Sequence, residues 1–273
     1  MLNLLLRYTS IILLLCAACC LPVQAAAADG ERGVARERLK ADIVARFGAT
    51  APLHWGERVP GVKTRLATRE KLLALTLDAC GSPQGMGYDA GLLEFLERER
   101  IPATLFVNAR WIGPNRAAFD RLAANPLFEI ANHGLLHRPA SVSGRSVYGL
   151  AGTRSVAELV DEIALGADRI EALTGRRPKF YRAGTAFYDE VAVQVAEALG
   201  QQVAGFTVLG DRGATYTREE VRAALLKATA GDIVILHMNH PESGTRAGVM
   251  AAIPELQRRG FRFVRLSEVP LVE

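Results

Sequence analysis

From Lys71 onward the chain alternates between two rhythms. Short apolar runs rich in β-branched and aromatic residues read as buried strands, and each is followed by apolar positions at helical spacing. The expected strands are 72–77, 103–107, 127–131, 179–182, 202–209, 232–237 and 261–264. Between them, helices are expected over 89–100, 116–125, 155–174, 189–199, 218–229 and 247–259. The clearest stripe is Val156, Leu159, Val160, Ile163, Ala167, Ile170 and Leu173. Ser155 and Glu158 form a capping box at its start, and Gly175 ends it. Pro254 breaks the last helix, which restarts there.

Alternation of strand and helix implies parallel strands joined by helical crossovers. About seven such units with short loops fit a closed or nearly closed β/α barrel. The polar residues favour this over a flat sheet. Asp78, His133, Arg182, Asp211 and His237 all fall at or just past strand C-termini, and in a barrel those ends converge on one mouth.

The region before residue 71 has another character. Val34, Leu39, Ile43, Val44 and Phe47 suggest a short amphipathic helix, and residues 52–69 show no period. Residues 1–25 read as a signal peptide. Arg7 supplies the positive n-region, Ile11 to Leu21 the apolar core, and Val23-Gln24-Ala25 the small-residue cleavage context. That core is shorter than the about 20 residues of a membrane span. The expected division is therefore a signal at 1–25, an N-terminal extension at 26–70 and a catalytic barrel at 71–273, in an exported protein, periplasmic or secreted. After cleavage no stable membrane insertion is expected. Cys16, Cys19 and Cys20 leave with the signal. Cys80 then remains without a disulfide partner, and is either buried or chemically employed.

Composition adds limits. The 273 residues are 49% hydrophobic and 23% charged, enough for a sizeable core. The net charge of +4 is small and evenly spread, which argues against nucleic acid or an anionic membrane as partner.

The chemistry-bearing residues are few. His133 and His137, in Asn132-His133-Gly134-Leu135-Leu136-His137, bring their rings together if the residues between them form one helical turn, and a divalent cation then bridges them. Asp78 ends an apolar strand, Arg182 and Asp211 can meet across the mouth, and His237 closes the run Ile233-Val234-Ile235-Leu236. Taken singly, Asp78 is equally a helix cap, Arg182–Asp211 a structural pair and His237 a core histidine. Asn239, His240 and Glu242 follow His237 and can line the same pocket.

These residues and their order resemble the polysaccharide deacetylase family, the NodB-homology carbohydrate esterases. Thr76-Leu77-Asp78-Ala79-Cys80-Gly81 stands for the first motif of that family, and His133-Gly134-Leu135-Leu136-His137 for the second. Tyr181-Arg182-Ala183-Gly184-Thr185, Asp211 and Leu236-His237 stand for the third to fifth. The resemblance implies a distorted (β/α) barrel of about seven parallel strands. It also implies hydrolytic removal of N-acetyl, or O-acetyl, groups from an acetylated polysaccharide or peptidoglycan. His133 and His137 would hold a divalent metal, usually zinc, with cobalt, nickel or manganese as alternatives. Asp78 would be the general base, or a ligand; His237 the acid; Arg182 the residue orienting Asp78; and Asp211 would tune His237 or Arg182. Backbone N–H groups at Ala183 to Thr185 would face the oxyanion.

Ala79 stands where the family carries its third ligand, and a methyl group cannot ligate. The remaining ligand is then Asp78, Cys80 or water. The chain also lacks a Trp near Asp211 and a Pro after Arg182. Two further functions stay open beside the deacetylase: a metal-independent amide hydrolase on the same barrel, and a catalytically silent glycan-binding protein.

Overall fold

The computed structural model describes residues 30 and 32–273; the expected signal peptide lies outside them. In chain order the elements are α1 (32–47), β1 (Arg65–Leu66), β2 (Leu72–Ala79), α2 (Ala90–Arg98), β3 (Ala103–Val107), α3 (Ala109–Ile112), α4 (Arg116–Ala124) and β4 (Phe128–Asn132). Then come the hairpin β5 (Ser146–Val147) and β6 (Leu150–Ala151), α5 (Val156–Thr174), β7 (Phe180–Tyr181), α6 (Glu190–Ala198), β8 (Gln202–Val203) and β9 (Val208–Leu209). The chain finishes with α7 (Arg218–Leu225), β10 (Ile233–His237), α8 (Thr245–Arg258), β11 (Arg262–Val264) and β12 (Leu271–Val272).

The central sheet is parallel throughout, in the order β8-β7-β4-β3-β2-β10-β9, with β11 beside the start of β2. It curls into the distorted barrel expected from the alternation. All eight residues of β2 are buried, because the barrel interior covers one face and helices the other. Leu73, Leu75, Leu77 and Ala79 point outward, into a core shared with Leu92, Leu93 and Leu96 of α2 and Ile253 and Leu256 of α8. Thr76 and Asp78, on the alternate face, point inward to Arg182.

Four expectations change. The single strand expected over 202–209 is two strands at opposite edges of the sheet, β8 against β7 and β9 against β10. Residues 204–207 cross between them, with Gly205 N–H donating to Lys63 (2.8 Å) and Thr207 N–H to Ile233 (3.0 Å). A Cβ on Gly205 would lie 2.8 Å from Val62, so glycine permits the crossing. Helix α8 runs through Pro254 without a break, the packing of its buried Ala252, Ile253 and Leu256 offsetting the hydrogen bond that proline cannot donate. Helix α7 stops at Leu225, short of 229, where Asp232 accepts from the Thr229 backbone (2.6 Å) and hydroxyl (3.0 Å) and imposes a turn. Finally, only half of the Ser155 capping box forms. Ser155 accepts from Glu158 N–H at 3.2 Å, but Glu158 bonds Arg154 and Arg138 instead. A complete box forms instead at Thr217–Glu220, at the start of α7.

Helix α1 buries Ile43 and Phe47 but leaves Val34 and Leu39 exposed. Arg36–Asp168 (2.9 Å) and Lys40–Asp161 (2.6 Å) fasten it to α5.

Candidate active site

Strand register assembles the site. Ala79 pairs with Val107, Val107 with Asn132, and Asn132 with Tyr181. One residue further on, Cys80, Asn108, His133 and Arg182 therefore stand in one row at the barrel mouth. His237 is level with Asp78 on the neighbouring strand.

The two histidines meet, but without the helical turn expected between them. Their ring centroids are 4.9 Å apart at 80°. Residues 133–139 form a bent loop in which Gly134 (φ 79°) and His137 (φ 61°) are both left-handed. The loop is held by Glu162, a buried carboxylate on α5 that accepts from Leu136 N–H (2.9 and 3.0 Å) and Arg138 N–H (3.3 Å). A Cβ at Gly134 would sit 2.4 Å from Glu162 Oε1, so the clamp needs glycine there. On the other side Asn108 donates to the carbonyls of His133 (2.9 Å) and Gly134 (3.0 Å).

His133 Nδ1 donates to the Arg182 carbonyl at 2.9 Å, so Nε2 is the ring nitrogen turned toward the cluster. That Nε2 lies 3.8 Å from Cys80 Sγ and 3.8 Å from Asp78 Oδ2. His137 Nε2 is buried without a partner. One ligand atom each from Cys80, His133 and His137 all lie within 4.8 Å of one another, a group that fits a metal ion. Asp78 is not in that group. Arg182 binds it, Nη1 donating to Asp78 Oδ1 and to Thr76 Oγ1 at 2.8 Å each. Arg182 is fully buried, stacks on Phe106 (4.2 Å) and donates its remaining nitrogens to the carbonyls of Ala204 (3.0 Å) and Gly205 (2.9 Å).

Asp211 pairs with His237, and Arg182 with Asp78, so no Arg182–Asp211 pair exists. Asp211 Oδ1 accepts from His237 Nδ1 (2.8 Å), and Oδ2 accepts from the His237 backbone N–H (2.7 Å) and Thr245 Oγ1 (2.9 Å). Burial works against charge on both partners. The Asp211 charge and hydrogen bond nevertheless hold the His237 imidazole well above its usual range, and His237 holds Asp211 below the carboxylate range. Burial also opposes ionisation of Cys80, but the charge of His137 and the neighbouring imidazoles of His133 and His237 outweigh it and leave the thiol well below its ordinary range.

Other expected contributors are otherwise engaged. Ala183 N–H donates to Tyr188 Oη (3.2 Å) and Gly184 N–H to the Arg138 carbonyl (3.2 Å), so neither is free for an oxyanion. His240 pairs with Glu242 (2.8 Å), and Asn239 donates to the Gly85 carbonyl (3.0 Å). Beside the His137 loop an aromatic rim rises: Phe187 packs against Trp55 (5.8 Å) and Tyr148 (5.6 Å), and its carbonyl accepts from Ala140 N–H at 3.0 Å.

Sequence reasoning passed over Glu162, Asn108 and Thr245. Glu162 had a readable signal, being a carboxylate three residues after Leu159 and beside Ile163 on the apolar face of α5. Asn108 and Thr245 had none, since their roles exist only through loops from elsewhere in the chain.

The family model for polysaccharide deacetylase matches residues 65–204, a span holding Asp78, Cys80, His133, His137 and Arg182 but neither Asp211 nor His237. The peptidoglycan-N-acetylglucosamine deacetylase of Bacillus cereus is 26% identical over 216 residues, 76% of this chain and 92% of that protein. Among solved structures, a family 4 acetyl xylan esterase from Clostridium thermocellum, in complex with a cobalt ion, superposes with a TM-score of 0.60 at 24% identity, covering 72% of this chain and 89% of that one. A family 4 carbohydrate esterase pseudoenzyme from Bacillus anthracis gives 0.64 at 21%, covering 78% and 69%. At such identities the solved structures establish the shared fold.

Proposed function

The chain belongs to the polysaccharide deacetylase family, and we propose that it is an exported, metal-dependent hydrolase that removes N-acetyl groups from an envelope or extracellular glycan. One observation carries this reading. Asp78 and His237 stand level on adjacent strands, each locked by its own buried partner, at the same mouth as the two-histidine cluster.

His133 and His137 fit a divalent metal, zinc first, because one Nε2 is aimed into the cluster and the other is buried and unpartnered. When bound, such an ion would supply Lewis-acid polarisation of the acetamide carbonyl and of water. The remaining steps belong to the chain. Asp78, its Oδ1 fixed by Arg182, accepts the proton of the attacking water at Oδ2. His237 enters protonated, because Asp211 stabilises the imidazolium, and gives its Nε2 proton to the departing amine nitrogen. The products are a free amine and acetate. The aromatic rim of Trp55, Phe187 and Tyr148 offers apolar faces on which sugar rings can stack beside the mouth. Residues 1–25 direct export, residues 26–70 are an extension, and residues 71–273 are the catalytic unit. The match with a peptidoglycan deacetylase supports peptidoglycan as first substrate to try.

Ala79 is the observation that favours a second reading, a glycan-binding barrel without turnover. Acetate release from peptidoglycan and chitooligosaccharides by the unmutated chain separates the two. Release that disappears in Asp78→Asn and His237→Ala is expected. Intact glycan binding with no acetate from metal-loaded protein would replace the hydrolase by the binder.

A further inference from the structure

We propose that Cys80 is the third ligand of the metal centre, so that a thiolate takes the place of a carboxylate and makes the site selective for soft, thiophilic ions. This rests on the metal-dependent reading above and assigns the position which that reading leaves open.

The strand itself points to residue 80. In extended backbone, side chains two apart share a face. Asp78 faces the interior and bonds Arg182, so Cys80 emerges on the same side. Ala79 faces the other way, fully buried with Leu73, Leu75 and Leu77 against α2 and α8. A carboxylate at 79 would be aimed into that helix-facing core. The distance also fits. Zinc bound tetrahedrally by an imidazole and a thiolate sets their ligand atoms about 3.6 Å apart. Cys80 Sγ and His133 Nε2 lie 3.8 Å apart. His137 supplies the independent sign of a missing partner, since its Nε2 is buried without any hydrogen bond. Asp78 is a poorer candidate because Arg182 already holds one of its oxygens.

Coordination deprotonates the thiol, and the S–H proton leaves to solvent. Thiolate donors favour zinc over the harder manganese, more strongly than a carboxylate in the same position would. Cys80 thereby becomes a specificity-determining residue for the metal.

The test uses the full chain loaded with cobalt as a spectroscopic substitute for zinc. A thiolate-to-cobalt charge-transfer band in the near ultraviolet is expected, together with loss of that band in Cys80→Ser while cobalt still binds. Zinc affinity should fall by at least about 100-fold in Cys80→Ser, since even residues behind the ligands cost 10–100-fold. Manganese affinity should change far less. Adding Ala79→Asp to Cys80→Ser should not restore zinc binding. If these variants do not fold, zinc protection of Cys80 in the unmutated chain against iodoacetamide, read by mass spectrometry, gives the same answer. Stoichiometric cobalt without the thiolate band, or no protection by bound zinc, overturns the role of Cys80 and leaves a two-histidine metal site standing. If no metal binds the unmutated chain at all, the metal-dependent reading itself falls.

Discussion

The two sides of the barrel mouth hold similar chemistry in opposite states. On the His237 side the hydrogen-bonding capacity of the buried carboxylate is used: both Asp211 oxygens accept, and together they fix the ring and the backbone of His237. On the His133 side, ligand atoms crowd together while His137 Nε2 has no partner. Buried polar groups normally find hydrogen bonds. A satisfied network positions one proton, whereas an unsatisfied cluster is a standing cost that a bound ion removes. The first side thus resembles a tuned acid, and the second a waiting ligand set.

The largest effect should come from breaking the open side. His133→Ala or His137→Ala should abolish tight metal binding and lower acetate release by on the order of 10³-fold or more, the several kcal/mol expected of a Lewis acid. Metal-free stability should stay close to that of the parent in His137→Ala, because the buried Nε2 it removes had no partner. Metal analysis beside thermal melts of the apo forms checks both halves of this expectation. Breaking the closed side should behave differently. His237→Ala should lose about 10²–10⁴-fold in kcat, the usual worth of a general acid, while keeping its full metal content. If the metal left together with the activity, the two sides would not be separable.

Asp211→Asn sharpens the contrast through pH. The elevated His237 value adds stability that is fully present below the ordinary imidazole range and is lost as pH rises through the folded value. The depressed Asp211 value adds stability present above the ordinary carboxylate range and lost as pH falls through its own folded value. The pair therefore stabilises most at mildly acidic pH, between those ranges, and there the Asn variant should melt lowest relative to the parent. Its activity should also fall off at lower pH on the alkaline side, because His237 surrenders its proton sooner. Melts and rates across pH would show both, and an unmoved alkaline limb would remove His237 as the acid.

Two smaller effects test what surrounds the site. Glu162→Gln leaves one acceptor oxygen for the backbone donors of Leu136 and Arg138. It should weaken metal binding about 10–100-fold, as residues behind ligands do, and cost about 1–3 kcal/mol as a buried donor loses its partner. Isothermal titration and denaturant melts measure the two. The smallest effect is expected for Tyr148→Ala, at the exposed edge of the aromatic rim. It should raise KM by a few-fold on polymeric glycan, roughly the 0.5–1.5 kcal/mol of an aromatic contact, and leave kcat on short substrates unchanged.

Much of this architecture was legible because a parallel strand buried on both faces reads as an uninterrupted apolar run, as in β2 and β10. Strand ends carrying Asp78, His133, Arg182 and His237 could be read as one mouth for the same reason. The run over 202–209 misled because composition does not reveal where a strand leaves one sheet edge for the other. Cys80 carried a signal too: one residue past the end of β2 and two beyond Asp78, it continues the same face, and it stood among the possible ligands. The His-x-x-x-His spacing was right about proximity and wrong about its cause. A helical turn and a clamped left-handed loop bring two such rings equally close.

What the sequence determined by itself, then, is periodicity and its consequences: the parallel barrel, the order of its elements, and which residues emerge at the strand ends. These depend on neighbours along the chain. Partnership was decided only by tertiary structure. Asp211 bonds His237 rather than Arg182, Glu162 shapes the metal loop from a distant helix, and Cys80 meets His133 across a register set by three strands. Hydrogen bonds and metal ligands act over about 2–4 Å, a precision that sequence separations of 26 or 53 residues do not convey.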